Sequence, residues 1–150
     1  MTVMKNIIAV LKWITIGVAC CLVVIVGYRA MNRDATNARV AEEIRQNPNS
    51  ELAGRTMLIT LADGRVYPVN YLHEARLVFI GVDGRWWREL VGDGQPVTML
   101  IRGESFTGHA RTVLDNPEYT ADVFSRLRPS VPNWHPDWLN AKLVKITLAE

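Results

Sequence analysis

Residues Gly84–Val113 read GRWWRELVGDGQPVTMLIRGESFTGHARTV, and the order of residue types here decides what the chain can fold into. Two adjacent tryptophans between arginines lead through Gly92-Asp93-Gly94 into an alternating run. Val97, Met99 and Ile101 share one face of it, and Thr98, Leu100 and Arg102 the other. A period of two belongs to a strand buried on one side. Beyond Arg102-Gly103-Glu104-Ser105 the alternation resumes, with Phe106, Gly108 and Ala110 on one face and Thr107, His109 and Arg111 on the other. Glycine takes a positive φ without a steric penalty, so these four residues predict a short hairpin. Trp86 and Trp87 suit packing in a core or over a barrel end, because aromatic side chains bury large areas.

The same grammar continues on either side. Arg55–Ala62 is strand-like, with Met57, Ile59 and Leu61 on one face. Asp63-Gly64 predicts a two-residue hairpin turn into a return strand, Arg65–Leu72. Pro68 lacks an N–H for a ladder and marks a sheet edge or a barrel corner. Ala75–Val82 is a third strand, Asp83-Gly84 a second turn, and the tryptophan block a short helix. Asn116-Pro117-Glu118 opens a helix to about Leu127, with proline suited to its first turn. Residues 128–140 read as irregular, and Ala141–Leu148 as the last strand. Six short strands, tight turns and one or two helices predict a mainly β, small antiparallel barrel.

The N-terminus is of another kind. Ile7–Val26 is a stretch of twenty residues interrupted by one charge, Lys12. At about 1.5 Å per residue it spans roughly 30 Å, the thickness of a bilayer's hydrocarbon core. Trp13 and Tyr28 lie near its ends, as interfacial anchors do. Val26-Gly27-Tyr28-Arg29-Ala30 is a poor cleavage site, so the reading is an uncleaved single span in contact with the lipid bilayer over residues 7–28. Arg29, Arg33, Arg39 and Arg45 outnumber Lys5 and Lys12, which places the C-terminal domain on the cytoplasmic side. Asn32–Gln46 reads as helix, stopped by Asn47-Pro48. The expected organisation is therefore an anchor over 1–30, a juxtamembrane helix and linker over 31–54, and the barrel over 55–150.

Composition excludes several functions. The net charge of +2 comes from Lys5 and Lys12 alone, and the rest of the chain balances its charges. Nucleic-acid binding, which needs clustered basic residues, is not expected. The domain has no cysteine; Cys20 and Cys21 lie inside the apolar run, as plain helix positions or as sites of lipidation or an inter-chain contact. His73, His109 and His135 have no ligand spacing, so no metal site is expected. No nucleophile elbow and no dinucleotide fingerprint is present.

The block Trp86-Trp87-Arg88-Glu89-Leu90, the hairpin with Gly103 at its tip, Arg65-Val66-Tyr67-Pro68-Val69 and Asp115-Asn116-Pro117-Glu118 together resemble one family. It is the deazaflavin-dependent nitroreductase or quinone-reductase family, small flavin- and deazaflavin-binding oxidoreductases of the pyridoxamine-phosphate-oxidase-like superfamily. The resemblance covers roughly residues 55–150 and implies a split barrel, often dimeric. It also implies a deazaflavin coenzyme (F-420 type) or FMN, whose own ring transfers hydride while the protein binds and orients it. Behind a membrane anchor, the acceptor implied is a quinone or another lipophilic molecule. The cofactor would lie against Arg65, Tyr67, Pro68 and Val69 on one side and Gly81, Arg85, Trp86, Trp87 and Arg88 on the other. Arginine forks suit phosphate and aromatic rings suit a flat heterocycle. The residues alone read equally as a solvated face in which Arg65, Arg85 and Arg88 pair with Asp63, Asp83 or Glu89.

Two departures set an alternative beside the oxidoreductase. The family's basic, hydroxyl-bearing phosphate loop is shortened here to Leu61-Ala62-Asp63-Gly64-Arg65, and Glu89 replaces its asparagine. Both add negative charge where phosphate would bind. A degenerate, non-catalytic barrel without cofactor, serving as a membrane-tethered protein- or ligand-binding module, is the other expectation.

Overall fold

The structure, a computed structural model, describes residues 2–129 and 141–149; within the N-terminal helix the side chains of residues 2–11, 26, 29–31 and 33 lie outside the description. The irregular segment expected over 128–140 thus lies outside the described residues from 130 onward. The chain divides into two compact units, Met1–Arg39 and Val40–Glu150.

Helix α1 runs Thr2–Gln46. Its apolar residues fall on every side rather than in a stripe, so it has no single face to bury. Trp13, Val23 and Val24 stand about 70% exposed. Among the described residues no helix is long and apolar enough to cross a membrane. The span expected over 7–28 begins among side chains outside the description.

Six strands form a closed antiparallel barrel: β1 Thr56–Thr60, β2 Val66–Glu74, β3 Leu77–Val82, β4 Gln95–Ile101, β5 Glu104–Thr112 and β6 Lys142–Leu148, in the order β1-β2-β3-β6-β5-β4. Met57, Ile59, Leu61, Val97, Met99 and Ile101, expected to share strand faces, fill the interior, joined by Val78, Ile80 and Ile146. Closure removes the free edges that an open sheet must protect. The β4–β5 turn places Arg102 at φ 49° and Gly103 at φ 84° between the paired Ile101 and Glu104. Two successive positive φ values are those of a type I′ hairpin turn.

The β1–β2 turn differs from the two-residue loop expected at Asp63-Gly64. Leu61 and Arg65 still pair, and the Gly64 N–H donates to the Leu61 carbonyl at 3.0 Å. The loop is thus three residues, closed by Gly64 at φ 87°. The segment expected as linker also holds structure. Ser50 caps a one-turn helix, α2 Glu51–Arg55, its hydroxyl accepting from the Ala53 N–H at 3.1 Å. Ala41, Ile44 and Ala53 pack with Leu58 on the outside of β1.

Helix α3, Pro117–Leu127, begins at Asn116, whose side chain accepts from the Tyr119 N–H. It covers another outer face, with Val123 against Phe79 and Leu143. Between the two covers the barrel is split. β2 pairs with β3 only from Tyr71↔Ile80 to Glu74↔Leu77. Residues 66–70 of β2 therefore pair with β1 alone. Pro68, which cannot donate to a ladder, lies in this half-paired stretch. A 3₁₀ helix, Arg85–Leu90, follows β3 and lies beside the seam.

Candidate functional site: the seam between β2 and the tryptophan block

Side chains three apart eclipse in a 3₁₀ helix, so Arg85–Leu90 offers three pairs: 85 with 88, 86 with 89, and 87 with 90. The 86/89 pair faces β2. The Trp86 ring stacks on Tyr67, centroids 4.9 Å apart and planes 1° from parallel. Glu89 accepts from the Arg65 guanidinium at 2.5 Å. The 87/90 pair turns toward the barrel: Leu90 is fully buried, Trp87 packs against the core, and the Trp87 carbonyl accepts from the Thr112 hydroxyl at 2.7 Å. The 85/88 pair faces solvent. Arg88 lies 5.6 Å from the Trp87 ring centroid, a cation–π distance. Gly84 before the helix is spatially required, since a Cβ there would stand 2.9 Å from the Trp86 ring.

At the mouth of the seam Arg65 is fully engaged. It donates to Asp63 at 2.5 Å, to Glu89 at 2.5 Å and to the Tyr67 hydroxyl at 3.3 Å. Asp63 also accepts from the Arg65 backbone N–H at 3.0 Å. That backbone bond, with the guanidinium beside it, holds the Asp63 carboxyl below its ordinary value of 3.8. Hydrogen bonding to Glu89 first, then to Asp63, raises Arg65 further above its already high value. Arg65 is thus shared between two carboxylates, Asp63 and Glu89.

The nine residues expected around a cofactor are distributed as follows in the fold. Arg65, Tyr67 and Trp86 meet at the seam, with Trp87 one face further round. Val69 packs against the barrel core, and Pro68 lies across from Leu58. Gly81 lies under α3, where a Cβ would meet Phe124 at 2.8 Å and Arg128 at 3.0 Å. Arg128 there donates to the Gly81 carbonyl and to both oxygens of Asp83. Arg85 and Arg88 are exposed, Arg88 over the Trp87 ring. Thr112, Phe124 and Arg128, which no sequence pattern singles out, shape these surroundings. Arg128 sits one helical turn beyond Phe124, the only hint its position gives.

A phosphate-bearing flavin or deazaflavin placed at this seam would bring its phosphate against Asp63 and Glu89, with the Arg65 guanidinium already paired to both. Its ring would have to part Trp86 from Tyr67. Among the described residues no group of three or more His, Cys, Asp or Glu is placed to hold a metal ion. Among the described residues one groove lies beside Glu43–Ser50 and another, of about 800 Å³, around Thr98, His109 and Thr147.

The architecture has solved counterparts. A candidate pyridoxamine 5′-phosphate oxidase from Listeria innocua superposes with a TM-score of 0.52 over 64% of this chain and 85% of its own, at 12% identity. The barrel is a split barrel. A candidate general stress protein 26 from Jannaschia is similar at TM-score 0.45 and 14% identity, covering 75% of this chain and 76% of its own. An FAD-binding protein from Mycobacterium smegmatis is similar at 0.38 and 16%, covering 65% and 81%. The first likeness establishes the fold and nothing finer, and the other two add no argument. No family model matches the chain, and no curated protein is similar to it.

Proposed function

We propose that the protein is a single-pass membrane protein, held by residues 7–28 with its barrel on the cytoplasmic side, whose split barrel binds a partner protein or ligand and is not a redox catalyst. The observation that carries this reading is the state of Arg65. The one cation at the seam is matched by two carboxylates, and the ring slot beside it is filled by its own aromatic pair. The anchor is supported by the exposure of the apolar Trp13, Ile14, Val23 and Val24 in the first part of α1, a pattern that suits lipid better than water. Full-length protein purified in detergent from a host that makes both FMN and deazaflavin should be colourless. A stoichiometric visible chromophore would overturn the reading.

The second reading is a membrane-anchored oxidoreductase passing hydride from a reduced deazaflavin or flavin to a quinone. The observation favouring it is the parallel Tyr67–Trp86 pair, whose planes define a slot for a flat ring if they separate. Exposed ion pairs contribute little, so the clamp on Arg65 is not a strong lock. Asp63→Ser with Glu89→Gln frees the guanidinium. On the oxidoreductase reading the native chain already binds cofactor and the variant binds it more tightly. On the binding-module reading the native chain binds none.

A further inference from the structure

Two helical covers leave part of the barrel bare. The end of α1 and α2 pack over Leu58, Val66 and Leu100, and α3 over Leu72, Phe79 and Leu143. The outward residues of β5 and its flanks, Thr98 and Thr107, His109 and Thr147, have no such cover and line the 800 Å³ groove.

Where this face meets the α3 cover, the β5–β6 register sets Arg111 directly opposite Lys145, which is half-buried and has Phe79 as its partner on β3. Their neighbours along the strands, Ala110, Thr112, Val144 and Ile146, are buried, so both cations point outward. Directly opposed like charges destabilise an antiparallel pair. Neither takes part in an ion pair among the described residues, whereas Arg65, Arg126 and Arg128 each hold carboxylates. Asp93, in the turn beside this face, offers its backbone carbonyl to His109 at 2.6 Å.

We infer that Arg111 and Lys145 face the phosphates of anionic phospholipids, with the Thr107 and Thr147 hydroxyls as flanking donors. Phosphate supplies the missing negative charge, and its oxygens accept from both guanidinium and ammonium. Lipid is the source because the inference rests on the anchor reading. Residues 29–39 separate Tyr28 from the start of the barrel unit at Val40. Even fully extended they reach no more than about 40 Å, so the barrel stays near its own bilayer. Basic residues close to an anionic surface are attracted to it over about a Debye length.

The test uses the full chain in nanodiscs and reads the acylation rate of Lys145 by mass spectrometry, with Lys142 as internal standard. In discs containing phosphatidylglycerol, Lys145 should be acylated roughly fivefold or more slowly than in phosphatidylcholine discs. Molar salt should restore the rate, as should Arg111→Ser in part. Equal rates in both discs overturn the inference. Slowing by millimolar inorganic phosphate in phosphatidylcholine discs, with none from phosphatidylglycerol, would assign the site to a free anion and overturn the lipid source. A chain that elutes without lipid would overturn the anchor itself, and is recognised before any acylation is measured.

Discussion

Replacing Trp86 by alanine removes the ring that closes the seam. Trp86 is only 9% exposed, stacks on Tyr67 and belongs to the central core cluster. A tryptophan buries on the order of 200 Å², and at about 25 cal/mol per Å² this gives an upper bound near 5 kcal/mol. The remaining methyl lowers the figure, while the lost aromatic pair and the cavity raise it; measured large-to-small changes of this kind cost about 3–5 kcal/mol. For a domain of this size that lowers the melting temperature by roughly 15 °C. The assay is thermal unfolding of the full chain in nanodiscs, followed by circular dichroism in the β region. Trp86→Phe keeps a stacking ring and should recover much of the loss. A cost for Trp86→Ala below about 1 kcal/mol, the value of a solvated side chain, would refute the closed seam.

Three further outcomes follow from the geometry. Gly81→Ala should cost about 1–3 kcal/mol by pushing Phe124 and Arg128 off β3, and limited proteolysis should then cut within α3 first. Thr112→Val removes the donor to the Trp87 carbonyl in a buried position and should cost about 1–2 kcal/mol by denaturant titration. The pH profile has a defined sign. Because Asp63 is held below 3.8 in the folded chain, its contribution is present above the ordinary carboxylate value and is lost as pH falls through the lowered one. Melting temperatures of native protein and Asp63→Asn should therefore converge only below pH 3.8, and convergence already near neutrality would contradict the bond to the Arg65 backbone.

Several strands are legible in the sequence because they carry their own period. Val97, Met99 and Ile101 announce a buried face whatever they pair with, and Gly103 announces its turn. Their order around the barrel is not, since β3 pairing with β6 and β6 with β5 depends on closure between distant segments. Helix α2 escaped notice because five residues are too short to show a period, although Ser50 before Glu51 is a capping pattern. Within the tryptophan block, three residues per turn send Trp86 and Glu89 to β2 and Arg85 and Arg88 to solvent, a division that the order of residues alone does not display. Gly81 carried no sign that α3 would come to rest on it. The pairing of Arg65 with Asp63 and Glu89 was visible as an alternative in the charges themselves, and proximity in the fold selected it.

If the seam repels rather than holds a phosphate-bearing flavin-type cofactor, calorimetric titration of the protein in nanodiscs with FMN and, separately, with the deazaflavin coenzyme should give no saturable heat for either ligand. Saturable one-to-one binding of either, weakened by Arg65→Ala, would contradict the repulsion.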